Sequence, residues 1–383
     1  MRGNYREAGV PPQIPGAPEG AGTSLAKLLI PLLIPLFFML VVVPTGFLLE
    51  SPGPSFDLQA DLTVVGAETY PSYGEFLLTA VSLQESRLVY HILTLFDEGF
   101  EMISVKDYLG EDLDTEEQDA LDELVTILSQ NAAVVVGLGE TGNPVVVEEL
   151  GALVVTVGEE YPAYGVLETG DVIVAVDGEP IQNTQMLTER IGAKTPEDDI
   201  RLTVRKVIRG ALLEDGENGL GPPYETQTGL EDGLPDPADF LSNTEREVVL
   251  RPVYEPELGR SIIGVSLRDY FSYSSSVDVE WDLETVKGPS AGLMMTLSLV
   301  NVLTPEDLTG GEKIAGTGEI FLDGDVGPIG GLPFKIQAAE REGAEIFIYP
   351  VENQADLEGV STELQLYPVD NLQEALEILE RAG

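Results

Sequence analysis

The stretch Lys287-Gly288-Pro289-Ser290-Ala291-Gly292, followed by the apolar run Met294 to Leu303, decides how this chain is read. Glycine and proline make a sharp turn that places Ser290 where a helix begins. The helix is apolar nearly all round, apart from Thr296, Ser298 and Asn301, and a helix of that kind is buried. Amide donors at its start point into the space in front of the serine, where an oxyanion would form, although Pro289 has no N–H to give. Ser290 has two readings at this point, an ordinary N-cap or a nucleophile.

Downstream, Gly330-Gly331-Leu332-Pro333-Phe334-Lys335 opens another helix. It runs from Pro333 to about Glu342 and is stopped by Gly343, the usual asymmetry of proline at the start and glycine past the end. Lys335 sits in the first turn, where a cation is disfavoured by the helix dipole. Ile329, Leu332, Phe334, Ile336, Ala338 and Ala339 surround it in sequence and add desolvation. Both effects lower a lysine pKa and make the amine usable as a base; the alternative is a surface lysine that snorkels. Between the two motifs lies Ile314-Ala315-Gly316-Thr317-Gly318-Glu319-Ile320, in which Thr317 is placed to hydrogen-bond the amine, or which is simply a strand with a bulge.

Three motifs in order, GPSAG at 288–292, TGEI at 317–320 and PIGGLPFK at 328–335, resemble the Lon-type serine proteases. Thr317 follows Ser290 by 27 residues and Lys335 by 45. Tyr349-Pro350-Val351-Glu352-Asn353 continues the likeness, which covers about residues 255–383. The resemblance implies that Ser290 is the nucleophile, Lys335 the general base and Thr317 a supporting hydroxyl, on the α/β fold of that family. Two positions depart from it. Lys287 stands where relatives commonly carry an acidic or small residue, and Pro333-Phe334 replace a more polar pair. No GxxxxGK[ST] phosphate loop occurs, so ATP-independent cleavage of flexible or unfolded segments is expected, with no cofactor. Lon-type domains commonly form rings, which implies a homo-oligomer by analogy only.

Upstream, residues 140–252 resemble a PDZ domain through Tyr161-Pro162-Ala163, Leu167, Gly170-Asp171-Val172-Ile173 and Val176-Asp177-Gly178. Such domains bind extended peptide ends at a sheet edge, and the resemblance makes Leu150, Gly151 and Ala152 the loop that offers amides to a terminal carboxylate. A purely structural β-domain is the other reading. Residues 210–243 are acidic, rich in glycine and proline and free of basic residues, and read as a solvated insertion. Residues 50–139 read as a small α/β region with strands near 61–65 and 75–81. A helix near Thr115 carries a Thr115/Gln118 capping box and an apolar face of Leu121, Leu124, Val125 and Leu128.

Leu28 to Leu49 carries no charge, and residues 25–49 read as a transmembrane helix, interrupted by Pro31, Pro35 and Pro44. A cleaved signal peptide is its rival. Arg2, Arg6 and Lys27 precede the run and strongly acidic sequence follows. Residues 1–24 are therefore expected as a disordered cytoplasmic tail, and the catalytic part outside the cell membrane on a single-pass anchor.

The chain has 67 acidic and 20 basic residues, a formal charge of -47. That surface repels phosphates and excludes nucleic acid as the main partner. With no cysteine and one histidine, His91, thiol nucleophiles, disulfides and two-histidine zinc sites are excluded, and no metal is expected. His91 lies in an apolar run and reads as structural. A trypsin-like PDZ protease is disfavoured because GNSGG is absent.

These readings give an α/β (α+β) chain with four parts beyond its tail: the membrane helix, the small α/β region, the PDZ-like domain over 140–252 and the Lon-like domain over 253–383. The expected function is a membrane-anchored serine endopeptidase acting on protein or peptide substrates. The alternative is a catalytically inert PDZ scaffold that only binds peptides.

Overall fold

The computed structural model describes residues 37–94, 99–105, 115–208, 236–283 and 287–382. Residues 37–42 are helical. At Pro44 the chain turns into β1 (Pro44–Asp57), which pairs antiparallel with β2 (Glu75–Arg87) and with β3 (Glu101–Ser104). Of the run expected as a membrane helix, residues 44–49 are instead strand, and residues 25–36 lie outside the described residues. The reason is that Leu49, whose apolarity extended the uncharged run, is 0% exposed inside the protein. An apolar residue does not say whether lipid or protein covers it.

A short α1 (Leu88–Leu93) carries His91, whose ring meets Phe47 edge-on at 5.3 Å. The long α2 (Thr115–Glu140) buries Leu121, Leu124, Val125 and Leu128 as its periodicity required. Ala120–Glu140 is long and apolar enough to cross a membrane, but most of it lies inside the fold as a core helix. The side chains of the expected capping box at Thr115 and Gln118 lie outside the described residues.

The next sheet holds β4 (Val145–Val157), β5 (Asp171–Val176), β6 (Ile200–Val207), β7 (Leu241–Leu250) and β8 (Val265–Ser275), in the order β8-β4-β5-β6-β7. After β5 comes a turn with positive φ at both Asp177 and Gly178, the backbone that two-residue hairpins demand. The helix α3 (Thr184–Gly192) is capped by the Asn183 side chain, which accepts from Met186 N–H. Of the acidic stretch at 210–243, residues 210–235 lie outside the described residues. The end of the stretch, from Asp236, is part of the fold, because Pro237, Phe240 and Leu241 are apolar and buried.

The last part contains α4 (Gly292–Leu303), β9 (Lys313–Gly316), α5 (Leu332–Arg341), β10 (Ile346–Pro350), β11 (Gln365–Val369) and α6 (Leu372–Ala382). Its strands are parallel to one another, and β9 also pairs parallel with β2, giving one sheet of order β11-β10-β9-β2-β1-β3. Alternation along each strand sorts the side chains. Phe76, Leu78, Ile314, Ile346 and Ile348 join the core formed with α2 and α4. Leu77, Ala315, Phe347 and Tyr349 pack with Leu332, Ile336 and Ala339 of α5 on the other face. Period-2 strands between two helical layers thus produce three layers.

Boundaries drawn at 139 and 253 from the sequence do not coincide with these sheets. The α/β region of residues 50–139 contributes β1, β2 and α2 to the same sheet and core as α4 and α5. Conversely β8, which falls within 253–383, is the edge strand of the sheet built by residues 145–250. Pairing between strands more than two hundred residues apart leaves no local mark on either one.

Candidate active site

The GPS turn is held by its neighbours before any chemistry is considered. Gly288 has φ +94°, a conformation that favours glycine. Its N–H donates to Thr126 Oγ1 at 2.7 Å, and Ser129 Oγ donates to Pro289 O at 2.9 Å. Both partners lie three residues apart on α2, so this buried helix grips the turn on one face. From the other side the Thr317-Gly318 segment docks. Gly318 N–H donates to Ser290 O at 2.9 Å, and Leu293 N–H donates back to Gly318 O at 2.9 Å. A side chain at Gly318 would stand 3.1 Å from Leu293 Cβ, and one at Gly316 would meet Met294 Sδ at 2.6 Å. Small residues here are what let the segment approach α4.

Lys335 arrives on the first turn of α5. Gly331 caps that helix in the left-handed region, φ +69°, and accepts from Lys335 N–H at 3.1 Å. The lysine is only 4% exposed. Its Nζ lies 2.7 Å from Ser290 Oγ and 3.0 Å from Thr317 Oγ1. The Thr317 hydroxyl in turn donates to Ser290 O at 3.0 Å. Burial pulls the Lys335 amine down to about 7, and the nearby Glu50 carboxylate opposes that shift. Withdrawal from water is the leading cause, as the apolar neighbours suggest; the helix dipole is not needed to explain it. A neutral amine can accept the Ser290 proton while donating to Thr317, whose own hydrogen is committed to Ser290 O. One orientation of the amine satisfies all three groups.

Four features were not singled out from the sequence. Thr126 and Ser129 are polar residues on the apolar face of α2, and that mismatch is a signal that could have found them. Glu319, next to Gly318, is 5% exposed and accepts from Arg268 Nη2 at 2.6 Å. Arg268 belongs to β8, and burial lowers its guanidinium to about 10. This ion pair joins the edge strand of one sheet to the segment that carries Thr317. The fourth, Glu50, is buried on β1. Lys287 is exposed.

The expected carboxylate loop at Leu150, Gly151 and Ala152 is corrected by the structure. All three lie inside β4; Gly151 and Ala152 pair with β8, and Ala152 pairs with β5 as well. Gly151 N–H is already bound to Gln182 O at 3.0 Å, and Ala152 is 0% exposed. The edge of the sheet is β8, and its Val265 and Leu267 share an apolar cluster with Met186 and Leu187 of α3.

Residues 284–381 match the model of the Lon protease C-terminal proteolytic domain, and residues 139–215 match that of the PDZ domain. The chain carries a Lon-type domain downstream of a PDZ domain. The Lon protease of Vibrio parahaemolyticus is 43% identical over 99 residues, which is 24% of this chain and 12% of that protein. That of Escherichia coli is 43% identical over 93 residues, 23% of this chain and 12% of that protein. The chain thus spans a small part of the curated relatives it matches. The PDZ domain of the SdrC-like protein from Listeria monocytogenes aligns over 31% of this chain and 87% of that one, at 18% identity and a TM-score of 0.20. The Lon-type match contains Ser290, Thr317 and Lys335, and the PDZ match contains β4, β5, α3 and β6.

Proposed function

We infer that this chain is an ATP-independent serine endopeptidase in which Ser290 is the nucleophile, Lys335 the general base and Thr317 the residue that orients the amine. The observation that carries the reading is a buried lysine 2.7 Å from a serine hydroxyl, with no carboxylate in ion-pair contact among the described residues. Similarity to Lon proteases supports the serine peptidase class. In acylation, Lys335 Nζ takes the proton from Ser290 Oγ as the oxygen attacks a peptide carbonyl. The resulting ammonium then protonates the leaving amine. Water repeats the exchange in deacylation. An inert scaffold is less favoured, because burying a lysine without an ion-pair contact carries a cost that mere peptide binding does not need.

Peptide capture is assigned to the edge of β8 opposite α3, where a substrate segment can add as a strand. Membrane anchoring rests on the uncharged run preceding Pro44 and on the exposure of Phe37, Phe38, Val41 and Val42, with the folded part outside the cell. The test is Ser290→Ala in the full chain. Cleavage of an unfolded protein should fall at least ~10³-fold with the circular dichroism unchanged. Turnover near the wild-type rate rejects the dyad.

A further inference from the structure

We propose that Glu50 is a positioning residue for the Ser290–Lys335 pair, a counter-carboxylate set against Gly331 at the start of the helix that carries the lysine. The inference rests on the dyad reading above. Glu50 is 8% exposed and stands in β1, between Leu83 of β2 and Glu101 of β3. Its Oε1 lies against Gly331, 2.6 Å from where a β-carbon would be. Gly331 is the residue whose carbonyl starts α5 by accepting from Lys335 N–H. The absence of a side chain at 331 is what lets the carboxylate reach the helix that bears the lysine.

No hydrogen bond to the Glu50 carboxylate is found among the described residues. No structural pairing therefore accounts for a carboxylate held this deep in the sheet. The charged groups that face it are Glu101, which with burial pushes the Glu50 carboxyl up, and Lys335, which pulls it down. From the other side, Glu50 is the charged group acting on Lys335 among the described residues. The chemistry gives that interaction a use. When Ser290 attacks, its proton moves to Lys335 Nζ and a positive charge appears in a site shielded from water. An anion that acts on the amine through space, without a hydrogen bond to it, stabilises that ammonium and leaves the hydrogen bond to Ser290 Oγ in place. The same anion keeps the amine basic enough to take the proton.

The experiment is the pH dependence of cleavage of fluorophore-labelled unfolded casein by the full chain in detergent, with Glu50→Gln compared to wild type. Without the anion the ammonium is less favoured, so the acidic limb should move down by about 0.5–1 pH unit. On the plateau, kcat should fall about tenfold with KM little changed. Glu85→Gln, an exposed carboxylate on β2, is the control and should leave the profile in place. If Glu50→Gln does not fold, Glu50→Asp draws the charge back by one methylene and should move the limb in the same direction by less. An unmoved limb in whichever variant folds overturns the proposal, as does a limb that moves up. Ser290→Ala is run alongside. If it is inactive while the limb stays put, only the role of Glu50 falls; if it retains turnover, the dyad itself falls.

Discussion

Asp171 and Lys335 are both buried charged-type residues, and the chain treats them in opposite ways. Asp171, at the start of β5, is 0% exposed. Its carboxylate accepts from Glu168 N–H at 2.8 Å, contacts Arg246 Nη2 and lies 3.5 Å from Lys206 Nζ. Two cations and an amide are gathered around one anion. Lys335 is almost as deep, yet among the described residues its amine is hydrogen-bonded to two hydroxyl oxygens and to no carboxylate. A charge that serves the fold is compensated by direct contact. A group that must gain and lose a proton is left without that contact, so that neither protonation state is locked in.

Lys335→Met gives the strongest test of this contrast. Turnover should drop at least ~10³-fold, as for loss of a general base that is part of a catalytic unit. Stability should hold or rise, since a group that is costly to bury is replaced by an apolar one of similar length. The wild type should show a pH signature that this variant lacks. The amine titrates at about 7 when folded and near ~10.4 when unfolded. Between those values the unfolded chain binds more protons, so stability rises with pH. Urea midpoints measured across that window should climb in the wild type by more than in the variant.

Asp171→Ala should do the reverse. Losing the anion strands a buried amide and leaves two cations facing each other, at a cost of about 2–4 kcal/mol in urea unfolding. The kcat of the molecules that remain folded, measured on a short peptide, should be unchanged. Thr317→Val is next in size. It keeps the shape but removes the acceptor for Lys335 Nζ and the donor to Ser290 O, and kcat should fall roughly 10–50-fold. Smallest is Thr126→Val, which leaves the Gly288 N–H without its partner and should cost about 1 kcal/mol of stability.

The local pattern of the chain was informative wherever a structural rule is local. The Gly-Pro turn, the all-apolar helix behind Ser290, the proline-started and glycine-stopped helix of Lys335, and the hairpin at Asp177-Gly178 are each dictated by neighbouring residues. The order and spacing of three motifs named the serine, the threonine and the lysine together. The acidic stretch was misjudged at its end because composition averages over a window, whereas Pro237, Phe240 and Leu241 act individually by being buried. Leu150-Gly151-Ala152 was misplaced for a related reason. A Gly-containing apolar segment looks alike in a binding loop and in a strand, and only the pairing of Gly151 and Ala152 with their neighbours distinguishes them.

Residue order alone specified which chemical groups are present and which short elements present them, because turns, caps and alternation act over a few residues. Whether Glu50 would reach Gly331 at the start of the helix of Lys335, whether Thr126 and Ser129 would hold the serine turn, and whether Leu49 would meet lipid or protein depended on the folded chain. Those relations join β1, α2, α4 and α5 across as many as 285 positions of sequence. They exist only once the sheet has brought the strands side by side, since close packing and hydrogen bonding act through space and not along the backbone.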